Sequence, residues 1–257
     1  MSIIKDYKIY AAKRISFGFV LFFLLVLSSL WAVNIGSYSL SFGEIIQALS
    51  DEASTANLIL WNIRLPRITA AMVVGAGLAI SGAVLQCILR NPLASPFTMG
   101  VSHGALFGAS LAIGILGAGG AESSGKIFIN NPYTVCIFAF GGSLLGILVI
   151  LTLAKLKSLS PGAMILAGVA MGSLFTAATT LIQYFATEEQ LAAMVYWSFG
   201  DLGRPIWKEI WIIMATLFPS FIYFFFKRWD YNAMESGDET AMSLGVKVER
   251  VRLVSAL

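Results

Sequence analysis

Uncharged runs separated by short polar or basic stretches set the pattern of this chain. Six such runs predict six membrane-crossing helices, at residues 15–33, 68–89, 97–116, 132–154, 161–184 and 209–226. The cleanest lies between Arg67 and Arg90, which enclose 22 residues without a charge. At about 1.5 Å rise per residue that length covers the roughly 30 Å hydrocarbon core of a bilayer. Small residues recur every fourth position along it, at Ala71, Gly75, Ala79 and Ala83. On a helix they form one smooth stripe where a second helix can approach closely. Asn91-Pro92 ends the run, because proline lacks an N–H and biases the residue before it away from helical backbone. A second stripe follows at Gly100, Gly104, Gly108 and Ala112. The spacing therefore predicts two tightly packed helices around a Pro-rich corner, with Gly75, Ala79, Gly100, Gly104 and Gly108 as packing residues.

The connectors differ in kind. Residues 34–62 are polar and mixed, suited to short surface helices, and 117–131 form a Gly/Ser-rich link. The link at 187–208 carries an apolar piece, 191–199, too short to span and read as a re-entrant or interfacial helix. After the sixth run, residues 229–252 are polar, and 251–257 turn apolar as the start of a seventh span would.

Composition narrows the class. The 257 residues are 58% hydrophobic and 12% charged, against about 25% charged in a soluble domain. Too little polar surface exists to cover a globule in water, so the fold class is an all-α polytopic membrane bundle. With the N-terminus inside, 12 of the 17 Lys and Arg lie inside, and Arg64, Arg67, Lys126, Arg204 and Lys208 lie outside. The positive-inside rule favours that orientation. The first run is about 19 residues with no small-residue cleavage site after it, so it reads as a retained span rather than a signal peptide.

Chemistry-bearing residues are sparse. Cys87 and Cys136 fall in apolar runs and read as small apolar residues. His103 is the only histidine; it reads as a helix-packing residue facing protein, and no metal set is expected. No carboxylate pair or nucleophile triad is present, which argues against an enzyme. Residues 120–126 fit G-x-x-x-x-G-K, but Ile127 stands where the magnesium-binding hydroxyl belongs. No nucleotide or other cofactor site is expected on this chain, and nothing points to nucleic acid.

Three motifs carry a family resemblance. R-L-P-R at 64–67, G-A-G-L-A-I-S-G-A-V-L-Q at 75–86 and R-N-P-L-A-S-P-F-T-M-G-V-S-H-G-A at 90–105 occur in order. Together they resemble the FecCD permeases, the membrane subunits of ATP-binding cassette (ABC) importers for iron-siderophores, haem and cobalamin. The family fold has about ten spans, so the resemblance implies one permease domain over 1–257, here C-terminally incomplete. It also implies a cell-membrane location, a second permease copy or relative, a substrate-binding protein, and ATP held on separate ATPase subunits.

The stretch M-E-S-G-D-E-T-A-M-S-L-G-V at 234–246 adds to the resemblance. Gly237 permits a tight turn, Asp238 is suited to cap the following helix, and Gly245 is placed to end it. The resemblance makes this segment, within 229–252, the one that docks on the ATPase through Gly237, Asp238, Glu239, Ala241, Leu244 and Gly245. It assigns Arg64 and Arg67 to acidic residues of the binding protein, which paired guanidinium groups suit. It puts Asn91, Pro92 and Leu93 at the cytoplasmic gate. Gln86 reads as an interhelical hydrogen-bonding residue. The run at 161–184 has the most polar face, and Thr176, Thr180 and Gln183, with Thr179 and Tyr184, are expected to line the pathway.

Two other readings stand beside this one. An ion-coupled secondary transporter would carry ionisable residues within its spans, and all six interiors lack Asp, Glu, Lys and Arg. A non-transporting permease fragment has the same sequence features as a working one.

Overall fold

The computed structural model describes residues 2–36, 41–51, 54–121 and 127–257, except for the side chains of residues 2–4, 6, 42, 47, 49, 50, 121 and 127. The chain is helical almost throughout: α1 (Ser2–Asn34), α2 (Phe42–Ser50), α3 (Thr55–Ile59), a π-helical turn (Leu60–Arg64), α4 (Leu65–Leu89), α5 (Val101–Gly114), α6 (Pro132–Lys155), α7 (Pro161–Phe185), α8 (Glu188–Ser198), α9 (Trp207–Phe226), α10 (Arg228–Glu235), α11 (Asp238–Ser243) and α12 (Val248–Ala256). Among the described residues, five stretches are long and apolar enough to cross a membrane: Tyr7–Asn34, Thr55–Leu89, Pro132–Lys155, Pro161–Phe185 and Trp207–Phe226.

The expected span at 97–116 is shorter than its apolar run. Only the 14 residues of α5 are helical, about 21 Å of rise. Ahead of α5, Gly100 adopts φ +72° and Ser95 and Thr98 bond to each other's backbone N–H groups, so the chain turns rather than extends the helix. A strand pair was also not foreseen. Within the Gly-rich link, β1 (Gly119–Ala121) pairs antiparallel with β2 (Ile127–Ile129), Gly120 opposite Phe128. Three-residue strands are too short to leave a readable alternation. Most of the 120–126 loop motif lies outside the described residues.

The chain divides into two compact units. In the first, residues 1–74 and 202–214, Ser54 caps α3 by accepting from the Asn57 N–H at 3.1 Å. The indole Nε1 of Trp207 donates to the Trp61 carbonyl at 2.8 Å. Most of α1 is exposed apolar surface, as expected for a helix that faces lipid.

In the second unit, residues 75–201 and 215–257, α5 packs against α6 and α7 through glycines. A Cβ at Gly104 would lie 2.7 Å from the Gly142 carbonyl oxygen, and one at Gly108 would overlap the Phe138 carbonyl. Gly100 abuts Gly168 in the same way at 3.1 Å. The other stripe behaves differently: Gly75 and Ala79 face outward, and nothing lies within 4 Å of a Cβ at Gly75. Their spacing makes a smooth surface, and among the described residues of the second unit no helix covers it. The capping box of α8, Thr187 with Gln190, fixes the short helix foreseen at 191–199. Gln190 also donates to the Gly114 carbonyl at 3.2 Å. The larger core joins Val84, Ile88 and Leu89 of α4 to Ile150, Met164 and Phe175, and to Tyr231, Met234, Val248 and Val251 beyond α9.

Candidate functional site

The polar segment after α9 folds into a compact knob within the second unit. Helix α10 buries Tyr231 and Met234, three residues apart on one face. Gly237 then takes φ +117° and ψ 153°, backbone essentially confined to glycine. Helix α11 ends in a Schellman closure: Gly245, at φ +85°, donates to the Met242 carbonyl and Val246 to that of Ala241, both at 3.0 Å. The apolar residues of this tight helix divide between core and surface. Ala241 is 0% exposed, while Leu244 is 68% exposed, with Met242 exposed beside it. Glu239 is also exposed.

Asp238 does not cap α11. It is the first helical residue, and no side chain caps the helix. Its carboxylate instead accepts two bonds from Arg252 on α12: Nη2 to Oδ1 at 2.8 Å and Nη1 to Oδ2 at 3.1 Å. The fixed fork of the guanidinium matches a carboxylate in this way. Arg252 is 1% exposed, and it also donates from Nε to the Ile88 carbonyl at 2.9 Å and from Nη1 to the Leu159 carbonyl at 3.1 Å. The Arg252 hydrogen bond, and then the charges of Arg252 and Arg90, hold the Asp238 carboxyl below its ordinary range, against opposing desolvation. Nearby, the Tyr231 hydroxyl shares a 2.8 Å bond with Ser255, and burial pushes its pKa up to about 12.

By sequence alone Arg252 is one more basic residue on the inner side. Its signal was positional. Val248, Val251, Arg252 and Ser255 fall at helical spacing on the buried face of α12, so a permanent charge stands where an apolar residue belongs.

The corner after α4 sits against this knob. Arg90 adopts φ 47° and closes α4, with Arg90 N–H on the Cys87 carbonyl at 3.2 Å and Asn91 N–H on that of Gln86 at 3.1 Å. Asn91 Oδ1 accepts from the Leu93 N–H at 2.9 Å. Gln86 does not bridge to another helix; its Nε2 donates to the Pro92 carbonyl at 3.0 Å and braces the corner itself. Leu93 stands at the tip, 80% exposed. Arg90 Nη2 lies 3.8 Å from Asp238 Oδ1. The structure thus brings Arg90, at the head of the corner, against Gly237 and Asp238 of the knob.

On α7, Met164, Met171, Phe175 and Thr179 form the packed face. Thr179 is therefore core. Thr176 and Thr180 flank it, with hydroxyls donating to the Gly172 carbonyl at 2.8 Å and the Thr176 carbonyl at 3.0 Å. Gln183 is partly buried and Tyr184 exposed. His103 lies against Gly172 but is exposed rather than enclosed by protein.

In the first unit, Arg64 and Arg67 have different surroundings. Arg64 is 6% exposed and donates from Nη1 to the Val33 carbonyl near the end of α1. A Cβ at Gly36 would lie 2.9 Å from its Nη2. Arg67 is exposed. Of the two arginines expected to dock the binding protein, Arg64 is buried and braces the end of α1, and Arg67 is exposed. Among the described residues, no group of three His, Cys, Asp or Glu is placed to hold a metal.

Known proteins resemble this chain in sequence and overall fold. An ABC transporter permease protein of Methanocaldococcus jannaschii is 62% identical over 258 residues, covering all of this chain and 74% of that protein. The hemin transport system permease protein HmuU of Yersinia pestis is 33% identical over 241 residues, 93% of this chain and 69% of that one. A solved structure described as an inward-facing conformation of a metal-chelate type ABC transporter superposes with TM-score 0.76 at 30% identity, covering 95% of this chain and 71% of that one. The family model of the FecCD transport family matches residues 24–257. The multi-pass apolar helices, the glycine-packed core and these matches agree, and the chain belongs to the FecCD transport family.

Proposed function

We propose that this chain is the permease subunit of an ABC importer in the cell membrane, with its N-terminus and the α10–α11 knob on the cytoplasmic side. It passes a metal chelate, of the iron-siderophore class, delivered by a separate binding protein. A second permease subunit completes the pathway, and two ATPase subunits bind and hydrolyse ATP. The observation that carries this reading is the knob itself. Its fold is fixed by buried Tyr231, Met234 and Ala241, yet it leaves Met242 and Leu244 uncovered. Exposed apolar side chains on a rigid, charged mount suit a groove on a partner protein.

The other residues take roles consistent with that. Residues 91–93, braced by Gln86, form the cytoplasmic gate. Thr176, Thr180 and Gln183 line the passage; with their hydroxyls bonded to their own helix, the two threonines offer mainly methyl groups and oxygen lone pairs. Arg67 meets carboxylates of the binding protein, and Arg64 holds the helix that presents it.

The test is reconstitution of the permease with its ATPase and binding protein in liposomes, with a radiolabelled ferric hydroxamate as probe. Uptake should require ATP and the binding protein. Uptake that continues at full rate without nucleotide would overturn the reading.

A further inference from the structure

Arg252 is a buried cation tied to three separate pieces of chain. Its fork holds the α11 carboxylate of Asp238, its Nε holds the Ile88 carbonyl, and its Nη1 holds the Leu159 carbonyl. Among the described residues, the Ile88 and Leu159 carbonyls take no donor other than Arg252. Ile88 is in the last turn of α4, where helix carbonyls lack an intrahelical donor and a cation is favoured by the helix dipole. Leu159, between α6 and α7, is held at φ 52°. The guanidinium is planar and rigid, so its bonds share one geometry. Two residues beyond Ile88 comes Arg90, and then the corner at 91–93.

We infer that Arg252 is a positioning residue that carries displacement of α11 to the 90–93 corner. This rests on the reading of α11 as the ATPase contact. When α11 moves, Asp238 moves with it. The fork follows, because a buried guanidinium separated from its carboxylate is left uncompensated at high cost. The Ile88 carbonyl, and with it the end of α4, is drawn along. Arg90, 3.8 Å from the same carboxylate, gives the link a second and more exposed strand. A lysine at 252 keeps the charge but has one nitrogen in place of three, so it cannot hold the carboxylate and both carbonyls in one plane.

The experiment uses the permease assembled with its ATPase in liposomes, with Cys87 and Cys136 replaced by Ser and Leu93→Cys added as a reporter. The readout is the rate at which a water-soluble maleimide labels position 93, with and without ATP. ATP should change this rate about tenfold in the parent, within the range usual for coupled sites. In Arg252→Lys the ATPase should still bind and hydrolyse ATP while the ATP-dependent change shrinks to less than about twofold. Asp238→Asn, measured in parallel in case the Lys variant fails to assemble, should lose the response as well. The double variant should be no worse than either single one, because both remove one link. Variants that melt earlier but keep the full response would show a purely structural residue and overturn the relay alone. A parent that never binds the ATPase would overturn the functional reading beneath it.

Discussion

Gly104 of α5 and Gly142 of α6 meet backbone to backbone, leaving no room for a side chain on either. In lipid no hydrophobic drive pulls helices together, so close van der Waals approach of this kind carries the association. Gly104→Leu should therefore lower the thermal unfolding midpoint in detergent, with a cost of roughly 1–3 kcal/mol or more from overpacking. Gly75→Leu is the control, since nothing lies within 4 Å of that site. Equal destabilisation by both would mean that the α5–α6 contact does not hold the bundle.

Gly237 makes a different demand. A Cβ there would meet Arg90 Nη1 at 3.6 Å and Thr240 Oγ1 at 3.9 Å, both ordinary contacts, but the backbone sits at φ +117°. Gly237→Ala should thus cost about 1–3 kcal/mol through backbone strain alone. Limited proteolysis, with cleavage between α10 and α11 appearing earlier than in the parent, measures it. Unchanged protection would show that the turn relaxes freely.

The spans were legible because hydrocarbon imposes one strong rule, uninterrupted apolar helix. The Gly104–Gly108 stripe and the Gly237 and Gly245 turns were legible because glycine answers a geometric need that few residues share. Direction was not legible. Gly75 and Ala79 carry the same four-residue spacing as Gly104 and Gly108, yet spacing alone does not say which stripe has a neighbour. Arg64 and Arg67 look alike in sequence, and only the fold makes one a brace. Asp238 stands where a cap would serve, but a cation 14 residues on outcompetes the helix N–H groups for its carboxylate. That partner depends on tertiary contact and leaves no local pattern.

The Asp238–Arg252 pair should make stability fall in acid. The folded carboxyl is held below its ordinary value, so the folded state binds fewer protons than the unfolded one as pH drops. The contribution is complete above the ordinary carboxylate range, about pH 4, and is lost as pH falls through the lowered folded value. Unfolding midpoints followed from neutral pH to about pH 3 should decline in the parent through this range. Asp238→Asn should be weaker at neutral pH and should lack this part of the decline. A parallel decline in both would assign acid sensitivity to other carboxylates.

Arg64 and Arg67 should separate cleanly. Arg67→Glu should weaken binding-protein association, and more so at low salt than at high, because screening already blunts exposed pairs. Arg64→Ala should instead destabilise the first unit by stripping the Val33 carbonyl of its donor, at about 1–3 kcal/mol. Surface plasmon resonance across ionic strengths and a thermal melt distinguish them. A salt-dependent binding loss at Arg64 with an unchanged melt would return both arginines to the docking surface.

The sharpest contrast lies within α11. Ala241 and Leu244 look equivalent in the sequence as apolar residues of one short helix, but the first is buried and the second exposed. Ala241→Leu adds volume to a closed core beneath the knob, so it should destabilise the permease itself, by about 1–3 kcal/mol, before any partner is present. Leu244→Ala removes only exposed surface, so the isolated permease should melt as before. If Leu244 fills a pocket on the ATPase, its truncation should cost about 2 kcal/mol of association, as anchoring residues at interfaces do. That is roughly a thirtyfold rise in Kd. The pair of measurements, melting of the permease alone and affinity for the ATPase, is informative because the two substitutions should fail in opposite columns. A Leu244→Ala protein that binds the ATPase as tightly as its parent would remove the uncovered tip of α11 from the interface and move the contact elsewhere on the knob.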